Sequence, residues 1–121
     1  MRKFYVQHPG WDEDRLHEVA SRLAGHLVTV TKAGPGEIEI LPLGLSKATG
    51  LAHAARLLGL SAANTIAFGD MPNDASMLSW SGYGVAMGNA HPELKAVADE
   101  VAPGNDDEGV AVVLERILRN R

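Results

Sequence analysis

The chain contains no cysteine in its 121 residues, which excludes a disulfide scaffold, a thiolate zinc site and a cysteine nucleophile. No apolar run approaches the roughly 20 residues needed to cross a bilayer, so no membrane partner is expected. The opening "MRKFYVQHPG" holds an Arg-Lys pair but neither a long apolar region nor a small-residue cleavage site, and it is a poor match to a signal peptide. A clustered positive charge is also lacking. The eleven Lys and Arg are dispersed and the formal net charge is −4, which leaves no stripe to neutralise a nucleic-acid backbone. The five histidines (His8, His17, His26, His53, His91) show no HExxH spacing, and Ser46, Ser76 and Ser79 lack a Gly-x-Ser-x-Gly elbow. A cytoplasmic protein without nucleic-acid or membrane partners is the expectation.

What is present is a globular composition, 45% hydrophobic and 21% charged, at a length suited to one domain or part of a larger one. The first stretch, residues 1–41, predicts strand, helix, strand, strand. "FYVQ" is apolar. Asp12 can then cap a helix in which Leu16, Val19, Ala20 and Leu23 form one stripe, with Trp11 and Leu16 spaced as a hydrophobic staple and Gly25 placed to end it. "LVTVT" and "EIEIL" alternate as half-buried strands do, on either side of the turn-rich "KAGPG". After "PLG", residues 42–121 change character. A helix opening near Ser46, the strand "TIAF", a helix over "ASMLSW", the strand "YGVAM", a helix near Pro92, a short strand in "DEVA" and a last helix through Val110, Val113, Leu114, Ile117 and Leu118 alternate in order. Such alternation predicts a parallel α/β sheet with flanking helices.

Two features in the second stretch carry chemistry. Ligands of open parallel sheets gather outside the carboxyl ends of the strands, and "GDMPND" follows "TIAF" there. Gly69 permits a tight exit, Asp70 offers a hard oxygen to a divalent cation, and Asn73 and Asp74 open the next helix. The plainer reading is a turn-rich loop in which Asn73 or Asp74 caps that helix. Lys47 is the second feature. In the first turn of a helix its charge opposes the macrodipole, which a functional role would explain; the plainer reading is a solvated surface lysine. "NDDEG" at 105–109 is expected to cap the last helix.

Taken together, "LPLGLSKATGLAHAARLLGL", "TIAFGDMPNDASML", "GYGVAMGNAHPELKAVADEVA" and "NDDEGVAVVLERIL" resemble the C-terminal part of the haloacid dehalogenase superfamily, specifically its Cof-type phosphatases. The resemblance implies an α/β, Rossmann-like core over residues 42–121, preceded in 1–41 by part of an α+β cap domain. It implies hydrolysis of small phosphoesters such as sugar phosphates, with Mg²⁺ as cofactor and a small phosphorylated metabolite as partner. Lys47 would hold the transferring phosphoryl group and Asp70 would ligate Mg²⁺. Asp74, the second acid of the motif, would support the lysine or the metal's water shell, as a catalytic and metal-site residue. Asn73 would contact phosphate, and Asn89 in "GNA" would lie on a neighbouring loop.

Two departures bear on activity. The family's nucleophile belongs to an N-terminal Asp-x-Asp-Gly-Thr segment, which this sequence does not contain. Its one Asp-x-Asp, Asp12 and Asp14 of "WDED", follows "HPGW" and fits a helix cap and first turn. Ala48 stands where the family commonly has glycine. The expectation is therefore that the chain alone is inactive, being a fragment, a truncated product, or one half of an assembly completed by another chain or a second copy along the exposed edge of "TIAF". The alternative is a non-catalytic phosphate-binding or interaction module on the same fold.

Overall fold

The computed structural model describes residues 2–120 and contains two three-stranded sheets. The first is antiparallel, in the order β1-β3-β2, from β1 (Phe4–Gln7), β2 (Val28–Gly34) and β3 (Glu37–Pro42). Period-two alternation and the strand register give it two unlike faces. Val6 lies opposite Ile38 and Val30 opposite Ile40, which sets these apolar residues on one side. Tyr5 and Thr31 both lie opposite Glu39 and share the other side with it.

Helix α1 (Glu13–Ala24) covers the apolar side. Asp12 caps it, its carboxylate accepting from the Arg15 N–H at 2.9 Å, and Leu16 is buried. Gly25 ends it in ordinary right-handed backbone, its N–H donating to the Ser21 carbonyl. The Trp11 ring lies against His8, with centroids 4.7 Å apart, and under the Arg15 guanidinium.

The second sheet is parallel, in the order β4-β5-β6, from β4 (Ile66–Gly69), β5 (Tyr83–Ala86) and β6 (Glu100–Val101). It is flanked by α2 (Lys47–Leu58), α3 (Ala75–Trp80), α4 (Pro92–Val97) and α5 (Gly109–Arg119). The α/β class expected from the alternating pattern is the one observed. Val85, Ala86, Met87, Leu94 and Val113 form the buried core beneath the strand ends. Ser46 and Thr49 cap α2 reciprocally, and Gly59, at φ +70°, closes it in the left-handed conformation glycine favours. The cap of α5 lies within "NDDEG", as expected, but it is made by backbone conformation and not by a side chain. Glu108 takes the cap position at φ +55° without a capping hydrogen bond, and the loop is instead tied by Asn89 Oδ1, which accepts from the Asn105 N–H at 2.8 Å.

One half-buried lysine joins the two units. Lys32 of β2, 12% exposed at its side chain, pairs with Asp14 of α1 at 2.6 Å and with Glu93 of α4. Burial pulls its pKa down, but the two carboxylates outweigh that and hold it above the ordinary lysine value. The same contact draws the Asp14 carboxyl below the usual range, so Asp12 and Asp14 serve a cap and an ion pair.

Among the described residues the outer edge of β4 has no strand partner. Beside it lies an apolar groove of about 420 Å³ walled by Leu51, Leu58, Phe68, Met77 and Trp80. No described helix is long and apolar enough to cross a membrane. Leu94, fully buried in the core, sets the stability of the parallel unit: Leu94→Ala should destabilise the fold by about 2 to 5 kcal/mol in urea titration, and an unchanged midpoint would contradict this packing.

Candidate active site

The site grows from the end of β4. A Cβ on Gly69 would fall 2.6 Å from the Asp74 Cβ and 2.9 Å from its Oδ2, so glycine at this position lets the Asp74 side chain fold back across the strand end. The turn that delivers Asp74 is a single 3-10 turn over Pro72–Asp74, with Pro72 at its first position, where a missing N–H costs nothing.

Asp74 is buried, 4% exposed, and its carboxylate is fully engaged. Oδ2 accepts from the N–H groups of Asp70 at 3.0 Å and Met71 at 3.1 Å. Oδ1 accepts from Lys47 Nζ in an ion pair. The reading of Asp74 as a cap for the following helix is therefore corrected: its carboxylate makes no capping bond to α3 and turns back onto the loop. A buried carboxylate needs such partners, since leaving it unpaired would cost several kcal/mol. The arrangement also answers the Lys47 puzzle. Lys47 opens α2, where its charge opposes the helix dipole, and Asp74 supplies the compensating negative charge.

Asp70 is half-buried, and among the described residues no hydrogen bond or ion pair engages its carboxylate. Its backbone is fixed on both sides, the N–H by Asp74 and the carbonyl by the His91 N–H at 2.9 Å. Lys47, Asp70, Asp74, Met87 and Asn105 border a shallow depression of about 350 Å³. Lys47, Asp70 and Asp74 thus come together. Asn73 does not line this depression, and its side-chain amide lies instead toward Glu39 of the antiparallel sheet. Asn89 holds the neighbouring loop through Asn105 and makes no contact with the carboxylate cluster.

Glu39 escaped the sequence reading. It is 6% exposed although its strand face, by alternation, should meet water. Burial pushes its carboxyl pKa up, but the Lys3 ammonium at 2.7 Å, with lesser help from Asn73 and Tyr5, brings it below the usual glutamate range. The only sequence signal was an acid between two isoleucines in "EIEIL", which is also the signature of an ordinary half-exposed strand.

Among the described residues no three His, Asp or Glu side chains gather as a ready-made metal cage. The donor chemistry nevertheless suits Mg²⁺, which takes one or two carboxylates together with phosphate oxygens and water. Asp70 is the uncommitted hard-oxygen donor, whereas Asp74 is already occupied by the loop and the lysine. Because the site depends on the space at Gly69, Gly69→Ala should displace Asp74, lower stability by about 1 to 3 kcal/mol and shift the Asp70 and Met71 amide resonances; wild-type melting with unmoved amides would refute the dependence.

A 5-amino-6-(5-phospho-D-ribitylamino)uracil phosphatase of Bacillus subtilis is 39% identical over 101 residues, covering 83% of this chain and 41% of that protein. A putative phosphatase of the same organism is 36% identical over 115 residues, 95% of this chain and 38% of the relative. The solved structure of a haloacid dehalogenase-like hydrolase from B. subtilis superposes with a TM-score of 0.83 at 30% identity, covering 93% of this chain and 39% of that one. The chain thus spans about two-fifths of the length of these relatives. The profile of haloacid dehalogenase-like hydrolases matches residues 4–114, nearly the whole sequence, and the chain belongs to that family.

Proposed function

We propose that this chain carries the phosphate-holding and metal-binding side of the active site of a Mg²⁺-dependent phosphatase acting on small phosphorylated metabolites. The observation that carries the reading is the division of labour between two carboxylates at the end of β4. One is saturated by Lys47 and two backbone N–H groups, and the other is uncommitted at the mouth of the site.

Each residue then has a definable task. Lys47 offers positive charge to the phosphoryl oxygens where negative charge accumulates. Asp74 is a positioning residue, holding the lysine in place and bracing the loop that presents Asp70. Asp70 and phosphate oxygens would hold Mg²⁺, which supplies neutralisation of phosphate charge and a template for in-line transfer. Asn73 is proposed to reach phosphate from the same turn once a ligand draws it from Glu39. The antiparallel unit, residues 1–41, is read as cap, placed over the site by the Lys32 clamp.

The nucleophile is proposed to arrive on a further segment, from the same protein or a second copy, added along the open edge of β4 and burying the groove beside α2. The unpartnered edge, the apolar walls of the groove and the share of its relatives that the chain spans support this.

Calorimetric titration with inorganic phosphate tests the core of the reading. Binding should strengthen when Mg²⁺ is added, lose that enhancement in Asp70→Asn, and weaken about tenfold or more in Lys47→Met. Phosphate affinity indifferent to Mg²⁺ and to both substitutions would overturn it.

A further inference from the structure

Three successive loops leave the carboxyl ends of β4, β5 and β6, and the middle one is bonded to both of its neighbours. On the β4 side the Met87 N–H donates to the Gly69 carbonyl at 2.9 Å, and the His91 N–H to the Asp70 carbonyl at 2.9 Å. On the β6 side the Gly88 N–H meets the Pro103 carbonyl at 3.4 Å. That approach leaves no room for a side chain, since a Cβ on Gly88 would fall 2.8 Å from the Gly104 nitrogen. One side chain completes the stitching: Asn89 Oδ1 accepts from the Asn105 N–H at 2.8 Å.

Asn105, on the third loop, is thereby held at the border of the depression that Lys47, Asp70 and Asp74 also line. Its backbone is committed, the N–H to Asn89 and the carbonyl to the Glu108 N–H at 3.2 Å. Glu108 closes the turn at φ +55°, the one positive φ outside glycine among the described residues. Such a conformation costs a residue with a Cβ and persists only where its surroundings impose it. The Asn105 side chain is free by contrast: it is exposed, and among the described residues no hydrogen bond engages its amide. A merely solvated loop amide has no use for a backbone fixed from a second loop, whereas an amide presented to a ligand does.

Resting on the phosphate reading of Lys47, we infer that Asn105 is a further binding residue of this site, its side-chain amide donating to a phosphate oxygen, and that Asn89 is the positioning residue that holds it there. The oxygens of a phosphoester dianion only accept, so the NH₂ half of the amide is the half that can meet them. Lys47 comes from the start of α2 and Asn105 from the loop after β6, so a phosphate in the depression would be gripped by donors from two elements. A neutral donor also suits the place, because a second cation there would compete with Mg²⁺ for Asp70. Asn89 acts only through Asn105.

Titration of the full chain with inorganic phosphate in the presence of Mg²⁺, followed by calorimetry and by NMR, tests both roles. In wild type, phosphate should shift the Asn105 side-chain amide resonances. Asn105→Ala should weaken phosphate binding about three- to tenfold with an unchanged melting temperature, the loss expected of one neutral hydrogen bond. Asn105→Asp, which exchanges the donor for an anion, should weaken it further. Asn89→Ala should reproduce the loss of Asn105→Ala, and the two together should cost no more than either alone, which a general loosening of the site would not give. Phosphate affinity untouched by Asn105→Ala, or side-chain amides that phosphate does not move, while Lys47→Met still weakens binding, would overturn the inference alone, and these readouts stand even if Asn89→Ala does not fold. Losses that add in the double variant would overturn the positioning role of Asn89. Absence of phosphate binding by wild type would overturn the Lys47 reading and the inference with it.

Discussion

The buried carboxylate of Asp74 is the constraint around which the site is arranged. It is removed from water at the end of a parallel strand, where an unpartnered charge would be expensive, so three donors must converge on it. Two of those donors are the backbone N–H groups of Asp70 and Met71, which fixes the loop conformation. The third is Lys47, from a helix that starts 27 residues earlier. One side chain thereby joins α2 to the β4 loop, while the half-buried Asp70 carboxylate has no hydrogen-bond or ion-pair partner among the described residues. Gly69 is the steric condition for this, since any Cβ there would occupy the space that Asp74 crosses.

A second set of charges determines what faces the site. Lys32 is held between carboxylates of α1 and α4, and it anchors the apolar side of the antiparallel sheet away from the β4 loop. The polar side, with Tyr5, Glu39 and Thr31, is consequently turned toward Asn73 and Lys47. The two faces of one small sheet thus do different work. Ile38 and its neighbours stabilise the unit by burial, and Glu39 is buried among Lys3, Thr31 and Asn73.

Much of this was legible in the sequence because local signals agreed. The Asp12 cap, the Ser46 cap, the alternation of "EIEIL" and the apolar run before "GDMPND" each predicted an element that is present, and the α/β class follows from their order. The gathering of Lys47, Asp70 and Asp74 was also expected, through the resemblance to a family and not through spacing alone. What was not legible depends on long-range packing. Periodicity assigns Glu39 to a solvated face, yet it is buried in the folded chain. Asn73 and Asp74 look alike as cap residues in sequence, yet one turns toward Glu39 and the other back across the strand end. At the start of α5 the polar run does hold the cap residue, Glu108, but the tie from Asn89 on another loop to Asn105 has no local signal.

The central claim is that Asp74 and Lys47 act as one unit. A double-mutant cycle on unfolding free energy, with Lys47→Met, Asp74→Asn and the pair, measures this most directly. The account predicts a coupling of at least about 0.5 kcal/mol, with Asp74→Asn alone more costly than Lys47→Met because it also loosens the loop at Asp70 and Met71. Strict additivity, with the two single variants equally tolerated, would contradict it.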